Sequence, residues 1–198
     1  YYKSPGGNYP SVTTVVGYEK NQFFKGWRES NPQEAKRVTR RGTALHKLIE
    51  RYLKNEDIDV MTYSPVVASL FVQMKETLDK IDNIYALEAP LWSNTLGLAG
   101  RVDCVAEYDG ELSVIDFKGS TKQKRESDIE NYMLQGAAYS IMWHERTGKP
   151  IHKFNILMAT EDSCVPQVFG GRPVDYVSNL YDAIKYYKTE NEKVLLDR

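Results

Sequence analysis

Two acids and one lysine near the middle of the chain could share a single chemical task. Asp103 lies in Gly100-Arg101-Val102-Asp103, and Asp116 and Lys118 lie in Val114-Ile115-Asp116-Phe117-Lys118. Between them stands Tyr108-Asp109-Gly110-Glu111, and Asp-Gly between alternating apolar runs predicts a two-residue hairpin turn. Counting outward from Tyr108 opposite Glu111 sets Asp103 opposite Asp116. Opposed residues share a face, and Lys118 joins it two residues further on. Facing carboxylates repel unless a cation lies between them, and oxygen donors of this kind suit Mg²⁺ or Mn²⁺. A lysine beside such a cation is a compact charge that can hold a water or a phosphate oxygen.

The rest of the chain reads as elements able to hold that hairpin. Residues 1–10 are rich in Gly, Pro and Tyr and predict an extended arm or loop. Ser11 to Val16 fits either a short strand or a turn leading a helix. Phe23, Phe24 and Trp27 have the spacing of a packed helical face over Lys20–Ser30. Asn31-Pro32 starts a helix that runs to about Asn55 on Val38, Leu45, Ile49, Tyr52 and Leu53, with Gly42 as a place for close approach or a break. A second amphipathic helix follows over Pro65–Ile81, then a strand over Tyr85–Trp92, a turn at 94–97, and the hairpin over Leu98–Lys118. Asp128–Thr147 predicts a helix ended by Gly148 and Pro150. Strands over Lys153–Thr160 and Val165–Gly170 and a helix over Val174–Leu195 complete the order. Helices, then a mixed sheet, then helices laid on the sheet make an α/β chain, and no linker divides residues 1–198.

Composition narrows the class. With 198 residues and no linker, one domain with a sizeable core is expected. The net charge of −1 excludes a globally basic nucleic-acid binder, so any polyanion must meet a local patch. Two such patches exist: Lys36, Arg37, Arg40 and Arg41, and then Lys118, Lys122, Lys124 and Arg125. The 14 tyrosines fit a surface that stacks on bases, or equally a Tyr-rich core. Two cysteines make no disulfide framework and predict buried free thiols in a reduced compartment. No apolar run is long enough for a membrane span. The chain begins at Tyr1 rather than Met, so an upstream targeting segment is an open expectation.

Asp103 with Asp116-Phe117-Lys118 resembles the signature of PD-(D/E)XK nucleases, with Val102 where the namesake proline would stand. His46 in Gly42-Thr43-Ala44-Leu45-His46 upstream, and Gln135 with Tyr139 downstream, make the chain similar to the RecB-like branch. Tyr9-Pro10-Ser11-Val12-Thr13-Thr14-Val15-Val16 and the stretch Gly100 to Tyr108 bring it near the mitochondrial genome maintenance exonucleases and their phage relatives. The resemblance implies a restriction-endonuclease-like core, a mixed central sheet flanked by helices. It implies that His46, Asp103, Asp116 and the Phe117 carbonyl hold Mg²⁺ or Mn²⁺, while Asp103, Asp116 and Lys118 carry the hydrolysis. Glu50 stands as an orienting partner for His46 or a solvated glutamate, and Glu88 as an upstream acid at the metal or a surface strand residue. Gln135 and Tyr139 on one helical face are expected to flank the site and touch DNA. Arg40, Arg41, Lys122, Lys124 and Arg125 are the expected phosphate contacts, because the two basic clusters lie beside the two halves of the metal site.

The resulting expectation is a metal-dependent deoxyribonuclease, an exonuclease on single-stranded DNA with a free end, serving replication, repair or recombination. A structure-specific flap or junction endonuclease and a non-catalytic DNA-binding module are the alternatives. An intracellular setting is expected, without a membrane partner, and a mitochondrial matrix one if a targeting segment precedes Tyr1.

Overall fold

The computed structural model describes residues 1–196, with side chains described through residue 192. Among them, five strands form one mixed sheet in the order β3-β4-β5-β6-β7. These are β3 (Ile81–Ser93), β4 (Leu98–Tyr108), β5 (Glu111–Ser120), β6 (Lys153–Thr160) and β7 (Gln167–Gly171). All neighbours run antiparallel except β5 and β6, which are parallel. Parallel strands need a long crossover, supplied here by α6 (Glu130–Thr147), whose end is set by Gly148 at φ 71°.

The Asp109-Gly110 turn explains the hairpin register. Both residues have positive φ, 49° and 80°, as a type I′ turn requires. Tyr108 pairs with Glu111, and the pairs continue in step to Cys104 opposite Ile115. One face of the sheet packs on α4 (Pro32–Leu53) and α5 (Pro65–Leu78) through Leu45, Leu48, Ile49, Leu70, Met74, Ile115 and Phe117. The other face packs on α1 (Val12–Val16), α6 and α7 (Val177–Leu196) through Val12, Val15, Val105, Val114, Met133, Ala137, Phe154 and Leu180. Each fully buried aliphatic side chain contributes about 1.5–3 kcal/mol over exposure, which is why both layers hold the sheet firmly. The fold is the expected α/β one, a mixed sheet flanked by helices.

Several local expectations change. Residues 1–10 form a small hairpin, β1 (Tyr2–Ser4) with β2 (Gly7–Tyr9), and not a loop. Ser11 to Val16 becomes helix α1, because the Ser11 hydroxyl caps the Thr14 N–H at 3.0 Å. The helix expected over residues 20–30 is two short ones, α2 (Tyr18–Phe23) and α3 (Lys25–Ser30). Their aromatics are not packed: Phe23, Phe24 and Trp27 are 82%, 39% and 45% exposed. Gly42 does not break α4, which has Pro32 in its first turn as expected and runs 22 residues. Cys104 is buried, and burial aided by Asp103 pushes its thiol up to about 12. Cys164, expected inside, is exposed. Among the described residues, no helix is long and apolar enough to cross a membrane.

Candidate active site

The hairpin ladder stops one step short of the predicted acid pair. Instead of facing Asp116 across a regular pair, Asp103 accepts the main-chain N–H of Phe117 on its Oδ2 at 2.9 Å. A side chain thus takes the place of a ladder bond, and β4 and β5 part at this point. On the other edge of β4 the ladder also skips a step. Leu87 pairs with Cys104 and Ala89 with Val102, so Glu88 and Asp103 lie opposite one another between those pairs, and Glu88 has φ 49°. Left-handed backbone at a non-glycine costs about 1–3 kcal/mol and clusters at functional sites. The inward–outward alternation of β4 resets here: Val102 and Val105 both pack on the α6 side, while Cys104 and Ala106 pack on the α4 side. Asp103 therefore sits in a gap of the sheet, between its two covering layers.

The α4 layer supplies His46. Its Nδ1 lies 3.6 Å from Asp103 Oδ2, and its ring stands edge-on to Phe117. One donor atom from each of His46, Glu88 and Asp103 lies within 4.8 Å of the other two, close enough for one cation to reach all three. Burial raises the Glu88 carboxyl, and the negative charge of Asp103 raises it further, against smaller pulls from His46 and Arg101. Glu50 does not orient the imidazole: its Oε1 is 2.5 Å from the Lys54 ammonium one turn on. It does line a side groove with His46, Glu88, Arg101 and Asp103.

On the α6 side stand Asp116 and Lys118. Asp116 is 4% exposed, and its Oδ2 lies 2.5 Å from Lys118 Nζ in a buried ion pair. Burial pushes its carboxyl up to about 6; the Asp103 charge adds to that and Lys118 opposes it. Burial alone would lower the Lys118 ammonium, but Asp116 and then Asp103 outweigh it, so its pKa rises and it keeps its charge. A buried carboxylate opening on the same cavity as His46 and Asp103, with the Asp103 charge pressing on it, fits a divalent cation. The donor set of carboxylates with one imidazole suits Mg²⁺, and Mn²⁺ with its greater tolerance of nitrogen.

Gln135 and Tyr139 are buried on α6 and line the same cavity of about 650 Å³ as His46, Asp103, Asp116 and Lys118. Gly100 lets Tyr139 reach across β4: a Cβ there would lie 2.5 Å from the tyrosine hydroxyl. Tyr132, which the sequence reading missed, lies on the same stripe of α6, three residues before Gln135 and seven before Tyr139. That i, i+3, i+7 spacing was its only signal. The far wall of the cavity is formed by Phe24, Trp27, Arg28, Val38 and Thr39. Of the three aromatics expected on a packed helical face, Phe24 and Trp27 thus roof the acids instead, and Phe23 does not line the cavity.

The basic clusters divide. Arg40 is exposed, but with Lys36, Arg37 and Arg41 it lines a separate groove of about 720 Å³. Those residues occupy the face of α4 opposite Val38, Thr39 and His46. Arg41 is 5% exposed and bound to Glu161, Thr121 and the Gly119 carbonyl, so its guanidinium ties α4 to the sheet. The loop after β5 is pinned through its main chain. Gln123 N–H donates to Asp162, Lys124 N–H to Gln167 and Arg125 N–H to Asp128, which leaves the Lys122 and Arg125 side chains exposed. Lys124 is half-buried beside Lys20.

A family model described as the PD-(D/E)XK nuclease superfamily matches residues 18–165, from α2 past the end of β6. The chain belongs to that superfamily. Two relatives also share part of its sequence. Mitochondrial genome maintenance exonuclease 1 of Mus musculus is 29% identical over 128 residues, covering 58% of this chain and 38% of that protein. Its Homo sapiens counterpart is 32% identical over 146 residues, covering 66% of this chain and 42% of that protein. The chain therefore spans less than half the length of either relative. In this PD-(D/E)XK chain the hairpin, α4 and α6 that build the site all fall within the matched stretch.

Proposed function

We propose that this PD-(D/E)XK chain is a metal-dependent deoxyribonuclease that digests single-stranded DNA from a free end, in replication, repair or recombination, and that it folds as one nuclease domain. The carrying observation is the roofed cavity, with acids and a charged lysine on its floor and exposed aromatics on its ceiling. A phosphate needs the floor; unpaired bases need a surface on which to stack, and Phe24 and Trp27 offer one. Bases inside a duplex already stack face to face on their neighbours and cannot use it.

Asp103, Asp116, Glu88 and His46 would hold Mg²⁺ or Mn²⁺. When bound, such an ion acidifies a water and neutralises phosphate oxygens. The chain's own groups do the rest. Asp103 is fixed by the Phe117 N–H, which holds its carboxylate between the two layers. Lys118, paired with Asp116 beside the cavity, would present its ammonium to a phosphate oxygen or the attacking water. Gln135 and Tyr139 offer polar atoms along the strand's path. Exposed Lys122 and Arg125, on the loop leading from Lys118, are the phosphate contacts this arrangement favours.

The test is digestion of end-labelled linear and of circular single-stranded DNA, with Mg²⁺ and with a chelator. Linear substrate should be consumed only with metal, and the circle should survive. Asp116→Ala and Lys118→Ala should be inactive yet folded. Cleavage of the circle at the linear rate would remove the end requirement, and activity in both variants would remove the assigned chemistry.

A further inference from the structure

Lys118 is held on two sides, and only one of them is an acid. Its Nζ faces Asp116 at 2.5 Å and lies 5.0 Å from the centre of the Tyr132 ring. The same ring lies 5.7 Å from Lys20 Nζ. Lys20 is itself tied to the start of α6, donating to the Asp128 carbonyl at 2.6 Å and to Asn131 Oδ1 at 3.2 Å. The Tyr132 N–H donates to the Ile129 carbonyl at 2.7 Å, which fixes the backbone beneath the ring. An aromatic face attracts an ammonium through its quadrupole, and more strongly where water is scarce; the Lys118 side chain is only 18% exposed.

We propose that Tyr132 is a positioning residue for hydrolysis: its ring seats the Lys118 ammonium at the floor of the cavity. The proposal rests on the reading of Lys118 as the charged donor. Lysine has a long, flexible stem, and one ion pair leaves it free to swing about that contact. A ring on a second side removes that freedom and aims the remaining N–H groups into the cavity. Lys20 on the same ring joins α2, whose Asn21 also lines the cavity, to the seat.

The ring itself is what matters here, and not its hydroxyl, which separates a seat from a hydrogen-bonding or a purely structural role. Single-turnover cleavage of a saturating single-stranded substrate should fall about 5- to 30-fold in Tyr132→Leu, the range a desolvated cation–π contact covers. Tyr132→Phe should restore it. Phenylalanines of increasing ring fluorination at position 132 keep the shape but drain the ring of electrons, and the rate should fall stepwise along that series with unchanged melting temperature. Equal rates along the fluorinated series would overturn the seat, even if Tyr132→Leu failed to fold. Loss confined to substrate affinity would also overturn it, making Tyr132 a DNA contact instead. Lys118→Met separates the two levels: an inactive Lys118→Met with a flat fluorinated series refutes the seat alone, whereas an active Lys118→Met refutes the reading beneath it.

Discussion

Raising the pH should weaken the metal-free fold through one carboxyl. Burial first, then the Asp103 charge, moves Asp116 from its ordinary 3.8 up to about 6, against the pull of Lys118. A carboxyl whose pKa is higher folded than unfolded favours the fold while protonated; that advantage is lost as pH rises from the lower value through the upper. With these two values, linkage gives a penalty of about 1 kcal/mol at pH 4.5 and about 3 kcal/mol at pH 8, a loss on the order of 2 kcal/mol across the window. Glu88, also raised, acts in the same direction. Lys118 adds no slope there, because its own raised pKa keeps it charged until well above neutrality. The assay is urea denaturation with a chelator at pH 4.5, 6 and 8, for the wild type and for Asp116→Asn, whose amide cannot titrate. The wild type should lose on the order of 2 kcal/mol more than the variant between the extremes, and Mg²⁺ should restore it at pH 8 in the wild type alone. Parallel pH curves for the two proteins would refute the assignment of buried charge to Asp116.

Phe24→Ala and Trp27→Ala should each weaken binding of a labelled single-stranded oligonucleotide by about 1–3 kcal/mol in a chelator, by fluorescence anisotropy. Both side chains are partly exposed, so melting should barely change. Arg41→Met should cost about 2–4 kcal/mol of folding stability, because Glu161 and the Gly119 carbonyl lose a buried partner. Its oligonucleotide affinity should stay within twofold, which checks that this arginine holds the fold together rather than the substrate.

The hairpin was legible because its turn is local chemistry: Asp109 and Gly110 tolerate positive φ, and the register follows by counting. The same counting overran by one pair. Nothing in Arg101-Val102-Asp103 announces that the alternation resets, because such a break is settled by what the neighbouring layers offer, here His46 from α4 and the Phe117 N–H. Helical spacing correctly grouped Phe24 with Trp27, but a stripe at that spacing looks the same whether it faces a core or an open cavity. Arg40 and Arg41 were legible as basic and not as divided: one residue of helix rotation sends one outward and the other inward. Glu88 gained its place from the β3–β4 register, which the sequence expressed only as a strand near a proline.

Helix α4 is unbroken for 22 residues, about 33 Å of rigid rod. Val38 and Thr39 on its outer half border the space a strand would fill, and His46, two turns further along the same rod, borders the acids. The two cannot tilt independently. A guest that tilted the rod at Val38 and Thr39 would carry the His46 imidazole with it, so filling the chamber and placing that ring would be coupled through one helix.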